Sequence, residues 1–253
     1  MSLWWAPIIF FLLIALVFSM LGMGGSQLYI PLLFWLGMDF KVEAIPLGLL
    51  LNVATSSSAA TTYVRSGLIN WRVALPFAAA MLTMPALGAR VNASLPTKPI
   101  IILFAVFTAA AAILMLTGWR PRGAAVLSRG QQIAVGIGGG GVLGFLVGLI
   151  GRGGGSFVVP LLYICGLEPK NAAATSSVVV TGSALCGFLS HLPTARLHGG
   201  LSIATVAAVV IGSQLGAHLM AKKMKSRAIK IVFGTVLLGI AAILMIQAVR
   251  MQS

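Results

Sequence analysis

Apolar residues run along this chain in long blocks separated by short polar turns. Eight blocks, at about 4–21, 44–63, 71–89, 99–118, 132–150, 172–192, 202–221 and 228–249, approach the ~20 residues that a bilayer-spanning helix needs. Two shorter runs, about 27–37 and 156–166, follow the first and fifth blocks. As helices they would rise about 16 Å, half the hydrocarbon thickness, so neither spans alone. Each is preceded by a glycine break, "GMGGSQ" (22–27) or "GRGGGS" (151–156), and followed by an acid-x-Lys turn. The pattern predicts an all-α integral membrane protein.

The two halves are copies. Gly22, Gly24, Gly25, Pro31, Leu32, Leu33, Gly37 and Lys41 align with Gly151, Gly153, Gly154, Pro160, Leu161, Leu162, Gly166 and Lys170, and Asp39 aligns with Glu168. Further on, "LGAR" (87–90) pairs with "LGAH" (215–218), and "AAILML" (111–116) with "AAILMI" (241–246). The offset stays between 128 and 130, which scattered apolar matches would not hold. The chain therefore reads as one transmembrane domain, 1–253, with repeat 1 at about 4–118, a linker at about 119–131 and repeat 2 at about 132–250.

Charge decides how the halves lie. With five elements per half, an odd number, the second half is inverted, and the cations divide eleven to six. The richer side holds Arg65, Arg72, Arg120, Arg122, Arg129, Lys170 and the basic run Lys222–Lys230. With four elements per half the division is nearly even. The positive-inside rule therefore favours inverted repeats. It puts the N-terminus in the periplasm, the basic loops 119–131 and 221–230 in the cytoplasm, and the short helices meeting near the bilayer midplane.

Composition agrees: 59% of residues are hydrophobic and 8% charged, too few charges to clothe a water-soluble surface. The net charge of +14 comes from cations spread singly between apolar blocks, so it does not point to nucleic acid. The first block has no Lys or Arg before it and no small-residue cleavage site after it, so it reads as a membrane helix rather than a signal peptide. Cys165 and Cys186 lie in apolar runs and give no disulfide framework.

The candidate chemistry lies in the breaks. A glycine break frees backbone N–H groups at the start of the next helix, and hydrocarbon cannot satisfy them. A helix N-terminus also carries about half a positive charge, so an anion is the natural ligand. Two such ends, brought together by an inverted repeat, make a midplane site as in transporters with broken helices. Gly24, Gly25, Ser26 and Gln27, with Arg152, Gly153, Gly154 and Ser156, are the expected anion contacts. Thr175, Ser176 and Ser177, from the hydroxyl-rich "TSSVVVTGS" (175–183), stand nearby. Hydroxyls there, and in "NVATSSSAATT" (52–62), equally suit bonds back to their own helix. The glycines of "GIGGGGVLGFLVG" (136–148) read as helix packing, and small-residue faces leave room for a homodimer.

Absences narrow the function. Asp39, Glu43 and Glu168 are the only acids and all lie in turns, which argues against a carboxylate proton relay or sodium cage at membrane depth. No residue set has metal-ligand or hydrolytic spacing, so neither a cofactor nor an enzyme is expected. "GRGGGS" lacks the Lys-Ser/Thr end of a nucleotide loop. Export of an anion could run on the membrane potential alone, at roughly 2.3 kcal/mol per charge per 100 mV.

The glycine break followed by "PLLYICGLEPKNAAATSS" (160–177) and a helix ending "LGAH", all duplicated, resembles the TauE/SafE family of sulfite and organosulfonate exporters. The likeness covers about 4–250. The first copy departs at Ile45, Pro46 and Leu47, where the family often shows a Thr-Ser pair. The resemblance implies export of a small sulfur-containing anion, sulfite or a related sulfonate or thiosulfate, across the bacterial inner membrane. A permease for another small anion or metabolite, or an accessory subunit without transport, stays open as an alternative.

Overall fold

Glycines and acids set the element ends. The computed structural model describes residues 5–92, 129–150, 155–164, 166–197 and 199–250, with a scatter of helical residues between 102 and 117. Among these every regular element is a helix. α1 is Trp5–Leu21, α2 the ten-residue Ser26–Trp35, α3 Ile45–Arg65 and α4 Trp71–Asn92. α5 is Arg129–Ile150, α6 the ten-residue Gly155–Ile164, α7 Pro169–His191, α8 Gly199–Lys223 and α9 Ser226–Arg250. Residues 118–128, most of the expected linker, lie outside the described residues.

Both short runs form short helices, and both end alike. Gly37 and Gly166 take left-handed φ of 89° and 93°. Gly37 N–H donates to Phe34 O and Met38 N–H to Leu33 O, while Gly166 N–H donates to Tyr163 O and Leu167 N–H to Leu162 O. This is the C-terminal wrap that a left-handed glycine permits. The acidic turns then start the next helices. Asp39 Oδ1 accepts from Val42 N–H (3.0 Å), and Glu43 Oε2 accepts from Asp39 N–H (2.9 Å), leading through a π-turn, Phe40–Ala44, into α3. Glu168 stands extended before Pro169, and its carbonyl accepts from Ala172 N–H (2.7 Å). The duplicated motif is thus a helix stop followed by a helix start.

Of the eight expected spans, four are both long and apolar enough to cross a membrane among the described residues: 42–65, 169–194, 199–223 and 226–243. α1 has 17 described residues, about 25 Å of helix. α4 carries Pro76 and Pro85 within its length.

α3 and α7, the third element of each half, pack side by side at the centre in opposite directions. Leu49, near the start of α3, touches Gly187 near the end of α7. At the other end, Asn70 N–H, just past α3, donates to Thr175 Oγ1 (3.0 Å) near the start of α7. Two parallel pairs flank them. On α8, Gly212 lies against Leu12 O, and Gly216 against Leu16 O and Ser19 Oγ of α1. On α5, Gly136, Gly140 and Gly144 lie against Val73–Met84 of α4. Glycine lets backbones approach closely where lipid supplies no hydrophobic drive, so the packing reading holds for Gly136, Gly140 and Gly144. These two glycine faces are filled from within the chain.

Polarity is inverted relative to a water-soluble fold. Large apolar side chains such as Phe10, Val142, Ile203 and Leu215 face outward, while Ser26, Asn52, Thr55, Thr175, Ser176 and Ser213 are buried. The polar interior lies along α3 and α7, beside the first glycine break.

Candidate anion site

After Leu21 the chain turns through Gly22, Gly24 and Gly25, with φ of 68°, 84° and 123°. An L side chain in this region costs about 1–2 kcal/mol, and there is no room for one. A Cβ on Gly22 would collide with Ala173 O of α7, and one on Gly24 with Asn52 Oδ1 of α3. The break is therefore wedged between the central helices of the two halves. Asn52 lies seven residues into α3 and thirteen from its end, about 10 Å and 20 Å along the axis. That places the start of α2 well inside the layer.

The two ends of the break are treated differently. On the carbonyl side, hydroxyls from both halves close the end of α1. Ser19 O accepts from Gly22 N–H (3.1 Å) and from the wholly buried Tyr63 hydroxyl of α3 (2.7 Å). Gly22 O accepts from Ser176 Oγ–H of α7 (2.8 Å). On the N–H side, Gly25 is the N-cap of α2 and has no side chain with which to cap the first turn. Gly25 O accepts the first helical bonds, from Leu28 and Tyr29 N–H, each 3.0 Å. Ser26 Oγ does not turn back onto the backbone as an N-terminal serine commonly does. It accepts instead from Asn52 Nδ2 at 3.2 Å. Two carbonyls at the break, Ser19 O and Gly22 O, are thus closed by hydroxyls, and the positive end of α2 lies beside them.

The expected site residues divide accordingly. Gly24, Gly25, Ser26 and Gln27 come together at the start of α2, with Ser26 fully buried and Gln27 nearly so. Of the three hydroxyls of α7 only Ser176 is seen to reach the break, and all three are engaged with protein groups. Thr175 accepts from Asn70 N–H, Ser176 serves Gly22 O, and Ser177 Oγ donates to Ala174 O of its own helix (2.7 Å). Arg152, Gly153 and Gly154 lie outside the described residues, as does the side chain of Ser156.

In the first hydroxyl cluster, back-bonding prevails. Thr55 donates to Leu51 O (2.8 Å), Ser56 to Asn52 O (2.7 Å) and Thr61 to Ser58 O (2.7 Å). Because the Thr55 proton is directed to Leu51, the buried Tyr29 hydroxyl is the donor of its 2.9 Å bond to Thr55 Oγ1. Farther along, Thr62 donates to Gln214 Oε1 (2.8 Å), and Gln214 Nε2 returns to Ser58 O (2.9 Å), tying α3 to α8.

Asn52 and Tyr63 are the residues that sequence reasoning missed. A signal existed for Asn52: a carboxamide is costly inside an apolar span and asks for a reason. Tyr63 gave none, because only the fold brings its hydroxyl to the end of α1.

Comparison with known proteins adds to this geometry. Residues 8–244 match the family described as "Sulfite exporter TauE/SafE". The chain is 25% identical over 255 residues, 91% of its length and 93% of the relative's, to "Probable membrane transporter protein YunE" of Bacillus subtilis (strain 168). It is 29% identical over 171 residues, 66% of its length and 68% of the relative's, to "Probable membrane transporter protein y4hK" of Sinorhizobium fredii. No solved structure gives a significant match.

Proposed function

Because the chain belongs to the TauE/SafE sulfite exporter family, we propose that it exports a small sulfur-containing anion, sulfite or a related sulfonate or thiosulfate, across a bacterial inner membrane. One observation carries the reading: at the first break hydroxyls from both halves close Ser19 O and Gly22 O, while Gly25, which has no side chain, stands at the positive start of α2. The positive end of a helix inside an apolar layer is the chemistry an anion needs.

Inverted repeats fit the packing. The central helices α3 and α7 hold equivalent places in the two halves and run in opposite directions. Exchanging the halves turns the parallel pair α1/α8 into α5/α4, which is also parallel and also glycine-packed. The charge division follows the same sides. Lys170 Nζ donates to Ala221 O near the end of α8, which gathers the end of α3, the start of α7 and the basic turn Lys222–Lys225 on one face. That face is cytoplasmic by the positive-inside rule, and the N-terminus is periplasmic.

Because Ser26 and Asn52 are buried, an anion reaches the start of α2 only when one bundle moves against the other, as in alternating access. No carboxylate relay is required, and an inside-negative potential drives the anion outward. A flux screen of purified protein in liposomes, with sulfite, sulfate, thiosulfate, taurine and sulfoacetate, tests the assignment. Sulfur oxyanion flux above protein-free liposomes is the expected result. Movement of none of them would turn the reading toward an accessory subunit.

A further inference from the structure

We propose that Asn52 determines specificity, and that its amide oxygen makes the site prefer an oxyanion that still carries a proton over one fully deprotonated. This rests on the reading of the α2 start as an anion site. The side chain of Asn52 is fully buried. Its Nδ2 donates to Ser26 Oγ at 3.2 Å, and this bond turns Oδ1 toward the break, where it fills the space a Cβ on Gly24 would need. Among the described residues that oxygen has no hydrogen-bond partner. A buried acceptor without a donor is unfavourable, so it calls for one from whatever occupies the site.

The start of α2 therefore sets beside an anion's charged oxygens the positive end of a helix and a fixed acceptor, Asn52 Oδ1. Sulfate and thiosulfate in their dianionic forms present only acceptors, and their lone pairs would face those of Oδ1. Protonated sulfite presents charged oxygens and one hydrogen, which fits both. Sites that hydrogen-bond a ligand's hydroxyl discriminate strongly against analogues lacking it, because the protein group is then left unpaired. The cargo by this account is a monoanion, and one charge crosses per cycle.

The test is calorimetric binding to the full chain in lipid nanodiscs, with sulfite titrated across a pH series and with sulfate and thiosulfate at one pH. Sulfite affinity should fall about tenfold per pH unit above the anion's own ionisation, and the two dianions should bind at least about tenfold more weakly than protonated sulfite. In Asn52→Leu the sulfite-to-sulfate ratio should shrink to within about threefold with sulfate affinity little changed, whereas a merely structural defect would weaken both. Should that variant not fold, the wild-type pH series decides alone. Sulfite binding independent of pH, with sulfate equally tight, would mean that the amide presents nitrogen to the ligand. That would overturn this inference and leave the anion site standing. Binding of none of the three would overturn both.

Discussion

The amide oxygen of Asn52 occupies the place that a side chain on Gly24 would take. Two residues 28 positions apart, on the third element and the first break, thus define each other, and together they set the mouth of α2. Gly24 permits the left-handed turn (φ 84°) and the approach, and Asn52 supplies the polar wall.

Gly24→Ala should therefore fail on two counts. The backbone strain costs about 1–2 kcal/mol, and the collision with Asn52 adds about 1–3 kcal/mol of overpacking. Gly37→Ala, with a similar φ of 89° but nothing within 4 Å, should carry the strain alone. Thermal unfolding in detergent should rank wild type above Gly37→Ala, and that above Gly24→Ala. Equal loss in both variants would show that Asn52 does not press on the break.

The hydroxyls at the break should differ in weight. Tyr63→Phe removes one of two donors to Ser19 O and leaves Gly22 N–H in place, so it should cost about 1 kcal/mol. Ser176→Ala removes the donor to Gly22 O and leaves a buried carbonyl, at about 1–3 kcal/mol. The same unfolding assay should find Ser176→Ala the more damaging. The opposite order would mean that another donor readily replaces Ser176.

Helix pairing should depend on single glycines. Gly216 of α8 faces Leu16 O and Ser19 Oγ of α1, whereas Gly239 of α9 is exposed with nothing within 4 Å. Gly216→Val should lower stability by about 1–3 kcal/mol or more by forcing the helices apart. Gly239→Ala should be neutral or up to about 1 kcal/mol stabilising. Fluorescence-detected gel filtration after heating would reveal a Gly216 variant as stable as wild type, which would contradict the α1/α8 packing.

Much of this was legible because the signals are local. Gly37 and Gly166 turn the chain by their own φ, Asp39 and Glu168 start the next helix within four residues, and the offset between copies exposes both at once. The start of α2 could be read as a helix N-terminus for the same reason. What could not be read is which helix meets which. Ser176 lies 154 positions from Gly22, and nothing near either residue says that they bond. Nor does sequence say where a hydroxyl proton points, so Thr175, Ser176 and Ser177 read as ligand contacts although here they serve protein groups. Asn52 was hidden among the hydroxyls that follow it, and its role depends on the turn of its amide toward Gly24.

Topology follows from the charge division and is open to labelling. In a background without Cys165 and Cys186, Ser66→Cys and Lys225→Cys should react with an impermeant maleimide only after the cells are opened. Leu36→Cys and Arg196→Cys should react in intact cells, since Arg196 N–H bonds Val42 O on the opposite face (2.7 Å). Reaction of all four from one side would refute the inverted arrangement.

The most direct test of the central claim is sulfite efflux from liposomes holding the purified protein, with a potassium–valinomycin potential imposed and no pH or sodium gradient. The account predicts efflux that rises with an inside-negative potential, since each charge gains about 2.3 kcal/mol per 100 mV, and that vanishes without protein. Efflux that ignored voltage and required a proton or sodium gradient, or no efflux at any voltage, would contradict it.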